Sequence, residues 1–158
     1  MSHGVTTRRA VDEDFAVIIE MLVEMHKEIG IFSLSVDKLA QRIRMVLDSG
    51  ACLLALDDAG EVVGTIGLLV ESAWYSEDPV LSDTWIFVRT GKRRLRVFDA
   101  LIGGARTFSE QTAMPLVICL YALKDHDRKT RLFERYAKRI MTGYLFREAG
   151  GDFLAMEV

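Results

Sequence analysis

At 158 residues, half of them apolar and 27% charged, the chain is sized for one domain and too hydrophobic to be disordered. Its longest apolar stretches, Ala51 to Leu56 and Ile66 to Val70, fall far short of the roughly 18 residues that cross a bilayer, which argues against a membrane span. The net charge of −3 conceals a division: residues 1–83 hold 6 basic and 15 acidic side chains (net −9), residues 84–147 hold 14 and 5 (net +9), and the last eleven hold 3 acids.

Val5 to Ala10 reads as an opening strand, after which Asp12 is the expected N-cap of a helix carrying Phe15, Ile18, Ile19, Leu22, Met25 and Ile29 on one face. Ser35 or Asp37 starts a second helix, with Val36, Leu39, Ala40, Ile43, Val46 and Leu47 inward and Gly50 as its left-handed stop. Ala51 to Leu56, the turn Asp57-Asp58-Ala59-Gly60 and Glu61 to Glu71 form a hairpin. Within its second strand, Gly64 and Gly67 mark a bulge or a close backbone approach. Ser72 to Ser82, with Trp74, Tyr75 and Pro79, reads as an irregular loop.

Thr84-Trp85-Ile86-Phe87-Val88 is rich in β-branched and aromatic residues and reads as a central strand. The basic run Arg89 to Arg96 follows, and from about Arg94 the apolar positions Val97, Phe98, Leu101, Ile102, Ala105 and Phe108 take helical spacing. Pro115 to Leu120 predicts another strand and Arg128 to Met141 another helix, with Leu132, Phe133, Tyr136 and Ile140 on one side. Gly143 to Arg147 and Asp152 to Met156 predict two closing strands. The order β-α-α-β-β-β-α-β-α-β-β gives a mixed α/β sheet in a single domain over residues 1–158.

Cys52 and Cys119 each sit in an apolar run, so neither a disulfide framework nor a metal site is expected, and His3, His26 and His126 are too scattered to add ligands. The first nine residues lack the features of a secretory signal, so a cytoplasmic location is expected. A strand that leads through a basic loop into a helix brings unsatisfied N–H groups and the positive end of a helix dipole together. Arginines there add bidentate contacts to phosphate. The physics therefore points to a phosphorylated ligand.

Together, this element order and Ile86-Phe87-Val88 followed five residues later by Arg93 resemble the GNAT acyl-CoA-dependent N-acetyltransferases. More narrowly, Trp74-Tyr75-Ser76, Trp85 to Val88, Arg93-Arg94-Leu95-Arg96, Leu101-Ile102 and Arg131 to Arg135 resemble the phage and prophage variant. The resemblance implies that acetyl-CoA lies between the Thr84–Val88 and Pro115–Leu120 strands. Phe87, Val88 and Phe133 would be among the residues that bind it, with the Val88 backbone bonding the pantetheine arm. The N–H groups of Arg93, Arg94, Leu95, Arg96, Val97 and Phe98 would hold the pyrophosphate, and backbone N–H groups near Val88 would face the developing oxyanion.

Two departures stand out: Arg96 and Phe98 occupy positions where the family prefers Gly, and Phe133 stands where it often has the Tyr that protonates the thiolate. Tyr136 and Tyr121 are the substitute acids, with Cys119 beside them; Asp83 is the candidate base and Glu71 a second. The leading expectation is acetyl transfer from acetyl-CoA to a primary amine, small or on a protein, with the acidic first half favouring a cationic acceptor. The alternative is a catalytically weak or inactive GNAT-like module that binds CoA or nothing. Nucleic-acid binding ranks last, and a homodimer is a further implication of the resemblance.

Overall fold

The structure, a computed structural model, describes residues 4–92, 95–120 and 125–140. Its elements are β1 (Thr6–Arg9), a 3-10 turn (Asp12–Asp14), α1 (Phe15–Ile29), α2 (Val36–Ser49), β2 (Cys52–Leu56), β3 (Val62–Ser72), β4 (Pro79–Val88), α3 (Leu95–Thr112), β5 (Leu116–Val117) and α4 (His126–Phe133). The five strands form one sheet in the order β1-β2-β3-β4-β5. The first three pairings are antiparallel and β4 with β5 is parallel. This is the mixed α/β sheet expected from the sequence; the two predicted closing strands lie outside the described residues.

Helix boundaries follow local chemistry. Asp14, rather than the expected Asp12, organises the start of α1: its Oδ2 accepts the Val11 N–H at 2.8 Å, while Arg8 binds both carboxylate oxygens at 2.7 and 2.8 Å. That bidentate partner holds the Asp14 carboxyl below its ordinary range. Ser35 caps α2 through the Lys38 N–H, and Gly50 ends it at φ +70°, in the left-handed region that glycine enters without a Cβ penalty.

Helices cover both sheet faces. Val97, Leu101 and Ala105 of α3 pack on Leu53, Ala55, Ile66 and Leu68. On the opposite face Ile18, Leu22, Ile43, Val46 and Leu47 of α1 and α2 enclose Leu54 and Trp85. Each such fully buried aliphatic side chain contributes roughly 1.5–3 kcal/mol. Gly67 meets its expectation twice. A Cβ there would stand 2.5 Å from the Trp85 ring, and the β3–β4 register shifts beside it. The Trp85 indole N–H, buried with that ring, donates to Thr65 Oγ1 at 3.2 Å.

Two boundaries differ from expectation. The predicted loop over residues 72–82 shrinks to 73–78, because β4 begins at Pro79, paired with Ser72. Proline needs no ladder donor at a strand's first position. The last helix spans His126–Phe133, not 128–141; beyond it the chain tightens into a turn in which Tyr136 N–H donates to the Phe133 carbonyl at 2.9 Å. The β5 ladder keeps only Leu116 and Val117 of the predicted Pro115–Leu120 strand.

Candidate active site

Among the described residues, β4 and β5 pair only at Leu81 with Leu116 and Ser82 with Val117. One step further along, the Cys119 N–H donates to the carboxylate of Asp83, Oδ1 at 2.7 Å, instead of to a strand carbonyl. Asp83 thus stands where the parallel ladder ends. At the same level β4 bulges. Gly67 faces Trp85 and Leu68 faces Asp83, which leaves Thr84 as the extra residue.

Between the bulge and its end, β4 alternates. Arg89 N–H donates to Val63 O across β3 at 2.9 Å. In an antiparallel pair every second residue therefore turns its N–H and C=O away from the partner. Ile86 and Val88 are those residues, and their backbone groups point to the β5 side. Phe87 pairs with Thr65, which puts its buried side chain on the same sheet face as Trp85. Phe87 therefore belongs to the α1–α2 face, and Val88 supplies backbone to the other side.

Burial raises the Asp83 carboxyl to about 6, against the lowering effect of the Cys119 N–H and with Glu71 adding a further push upward. A carboxylate titrating there is ionised at neutral pH yet basic enough to take a proton. The thiols are less suited to chemistry. Burial pushes Cys52 up to about 11 and Cys119 upward as well, so both stay protonated.

The basic run divides into two parts. Arg89 turns to α1, with Nη1 2.9 Å from Glu20 Oε1 and 3.5 Å from Glu24 Oε2. Thr90 donates its N–H to Glu24 at 3.0 Å and its hydroxyl to Glu28 at 2.7 Å. Lys92 reaches Asp57 at 3.1 Å and Glu61 at 3.3 Å; hydrogen bonding to these acids raises the lysine and lowers Asp57. Glu20, Glu24 and Glu28 recur every four residues, a spacing visible in the sequence that the composition-level reading of charge passed over.

The second part is the start of α3. Leu95, Arg96 and Val97 supply N–H groups that have no carbonyl four residues back within the helix. Arg96 is half-buried and Val97 is packed in the core. Arg93, Arg94 and Tyr121 lie outside the described residues. Phe98, in the same first turns, meets Phe133 of α4 edge to face at 5.1 Å and Tyr136 at 5.7 Å. The two aromatic departures from the family pattern are thus mutual neighbours. The Tyr136 hydroxyl donates to Asp99 of α3, a partner that sequence spacing did not indicate. Among the described residues no three His, Cys, Asp or Glu side chains converge as metal ligands, and no helix is long and apolar enough to cross a membrane.

No protein-family model matches the sequence, and no curated protein does. Solved structures do. A GCN5-related N-acetyltransferase from Ralstonia eutropha superposes with a TM-score of 0.70 at 16% identity, over 94% of this chain and 100% of that one. A ribosomal-protein-alanine N-acetyltransferase from Brucella melitensis gives 0.67 at 19%, over 92% and 99%. An aminoglycoside antibiotic 6'-N-acetyltransferase from Acinetobacter baumannii gives 0.66 at 14%, over 92% and 99%. The fold is that of the GCN5-related N-acetyltransferases. The fold match spans nearly the whole chain.

Proposed function

We propose that the chain is an N-acetyltransferase that moves an acetyl group from acetyl-CoA to a primary amine. The observation that carries this reading is the end of the β4–β5 ladder at Asp83, beside the Thr84 bulge, with Val88 backbone turned to the same side. Acetyl-CoA would supply an activated thioester; the rest falls to the protein. Asp83 is the base for the attacking amine, its titration near 6 matched to that task. Backbone N–H groups of the bulged segment, with those near Val88, would face the developing oxyanion. Ile86 and Val88 would bond the pantetheine arm. The α3 first turn with Arg96, together with Arg93 and Arg94, would take the pyrophosphate.

Tyr136 is the acid proposed for the thiolate, with Tyr121 as its substitute. Its bond to Asp99 and contact with Phe98 favour a second reading, a CoA-binding module of low turnover, since a proton directed at a carboxylate is not offered to a leaving group. The narrower phage-type resemblance rests on the sequence motifs. Calorimetric titration with acetyl-CoA, and with CoA and ATP as controls, tests donor binding. Micromolar affinity favouring acetyl-CoA supports both readings, and none removes both. Turnover on an amine panel that includes an aminoglycoside and an alanine-initiated peptide separates them, because a binding module acetylates neither.

A further inference from the structure

The turn between β4 and α3 is held from the opposite face of the sheet. Its ends are tied by Arg89 N–H to Val63 O at 2.9 Å and Lys92 N–H to Arg89 O at 3.0 Å, with Gly91 at φ +80° between them. Side chains of α1 add a second set of bonds. Glu24 spans two of the turn's residues, Oε1 on the Thr90 N–H and Oε2 toward Arg89, while Glu20 takes Arg89 and Glu28 the Thr90 hydroxyl. An isolated exposed ion pair contributes little. Here three carboxylates on one helix face bind two adjacent residues, one of the bonds goes to a backbone amide, and the Arg89 side chain is only 24% exposed.

The geometry points to Glu24, assisted by Glu20 and Glu28, as a positioning residue for donor binding. None of the three belongs to the proposed donor site. They fix the Arg89–Lys92 turn, and this turn determines where the N–H groups and Arg96 at the start of α3 are presented. Helix α1, on the sheet face opposite α3, is thereby coupled to the phosphate end of the donor. The inference rests on the acetyltransferase reading and adds to it a residue outside the donor site.

Amide exchange at Thr90 and acetyl-CoA titration of E24A, E24Q and the exposed control E77A provide the test. E24A is expected to speed Thr90 exchange by about tenfold or more. It is also expected to raise the acetyl-CoA Kd by roughly five- to twentyfold, with kcat within about twofold. E24Q keeps an oxygen for the Thr90 amide and should regain most of the protection, whereas E77A should match wild type. Should E24A fail to fold, E24Q alone decides. Losing only the ion pair of residue 24 with Arg89, it should raise Kd by about two- to fivefold at low salt and less at high salt. Unchanged Thr90 exchange, or faster exchange with unchanged donor affinity, overturns the inference. Wild-type protein that binds no acetyl-CoA removes the acetyltransferase reading and the inference with it, whereas wild-type binding that E24A leaves untouched removes the inference alone.

Discussion

A carboxylate held near pH 6 at the end of a strand ladder has consequences for both rate and stability. As the proposed base, Asp83 must be ionised, so kcat/KM should rise with pH and level off above about 6. Asp83→Asn keeps an oxygen for the Cys119 N–H and gives up the basicity, so it should lower kcat on the order of a hundredfold and abolish that limb. Stability runs the other way. A group whose pKa is raised in the folded state contributes stability that is fully present below the ordinary 3.8 and lost as pH rises through about 6. Asp83→Asn is therefore expected to stabilise the protein at pH 8, by on the order of 1–3 kcal/mol, and to do little below pH 4. Urea unfolding at the two pH values checks the sign; equal effects at both would deny the burial shift. Asp83 was legible as a candidate from its place before the central strand. Its partner was not, because the Cys119 amide is 36 residues away and only the sheet brings them together.

Elements were read best where one segment sets its own limits. The α2 cap at Ser35, its stop at Gly50 and the β2–β3 hairpin all depend on nearby residues, and all emerged as expected. Pro79, Ser82 and Asp83 made the first half of β4 look like loop, since a strand's pairing partner is invisible to local composition. Gly64 and Gly67 marked a bulge or a close approach in β3, and the structure identifies the Trp85 ring at Gly67 and Leu101 with Val97 at Gly64. Gly67→Ala is thus expected to force the indole out of its place and cost about 1–3 kcal/mol. Denaturant unfolding followed by the fluorescence of Trp85 measures that cost, and a neutral substitution would mean the ring has room to yield. Phe98 and Phe133 carry a similar lesson. Each departs from the family pattern alone, yet they pack edge to face across α3 and α4, a pairing that spacing along the chain does not reveal.

Over the whole molecule, the division into an acidic first half and a basic second half is in part an internal pairing. Arg89 and Lys92, two cations of the basic run, lie within 3.5 Å of Glu20, Glu24, Asp57 or Glu61. A polyanion approaching this loop meets α1 carboxylates together with the basic residues, which weakens the case for nucleic acid that the bare count of charge made. Acetyl-CoA, by contrast, would bring a few phosphates to one helix start. Arg96→Ala should therefore raise the acetyl-CoA Kd by about tenfold or more, the worth of one charge-assisted contact. Lys38→Ala on α2 should leave it within about twofold, a change too small to represent a lost contact. Duplex DNA, titrated by fluorescence anisotropy, should bind no tighter than the roughly 10⁻⁴–10⁻⁶ M of non-specific association at physiological salt. Tight, salt-steep DNA binding displaced by acetyl-CoA would instead mean that the start of α3 takes the phosphates of either ligand, and the case for nucleic acid would stand.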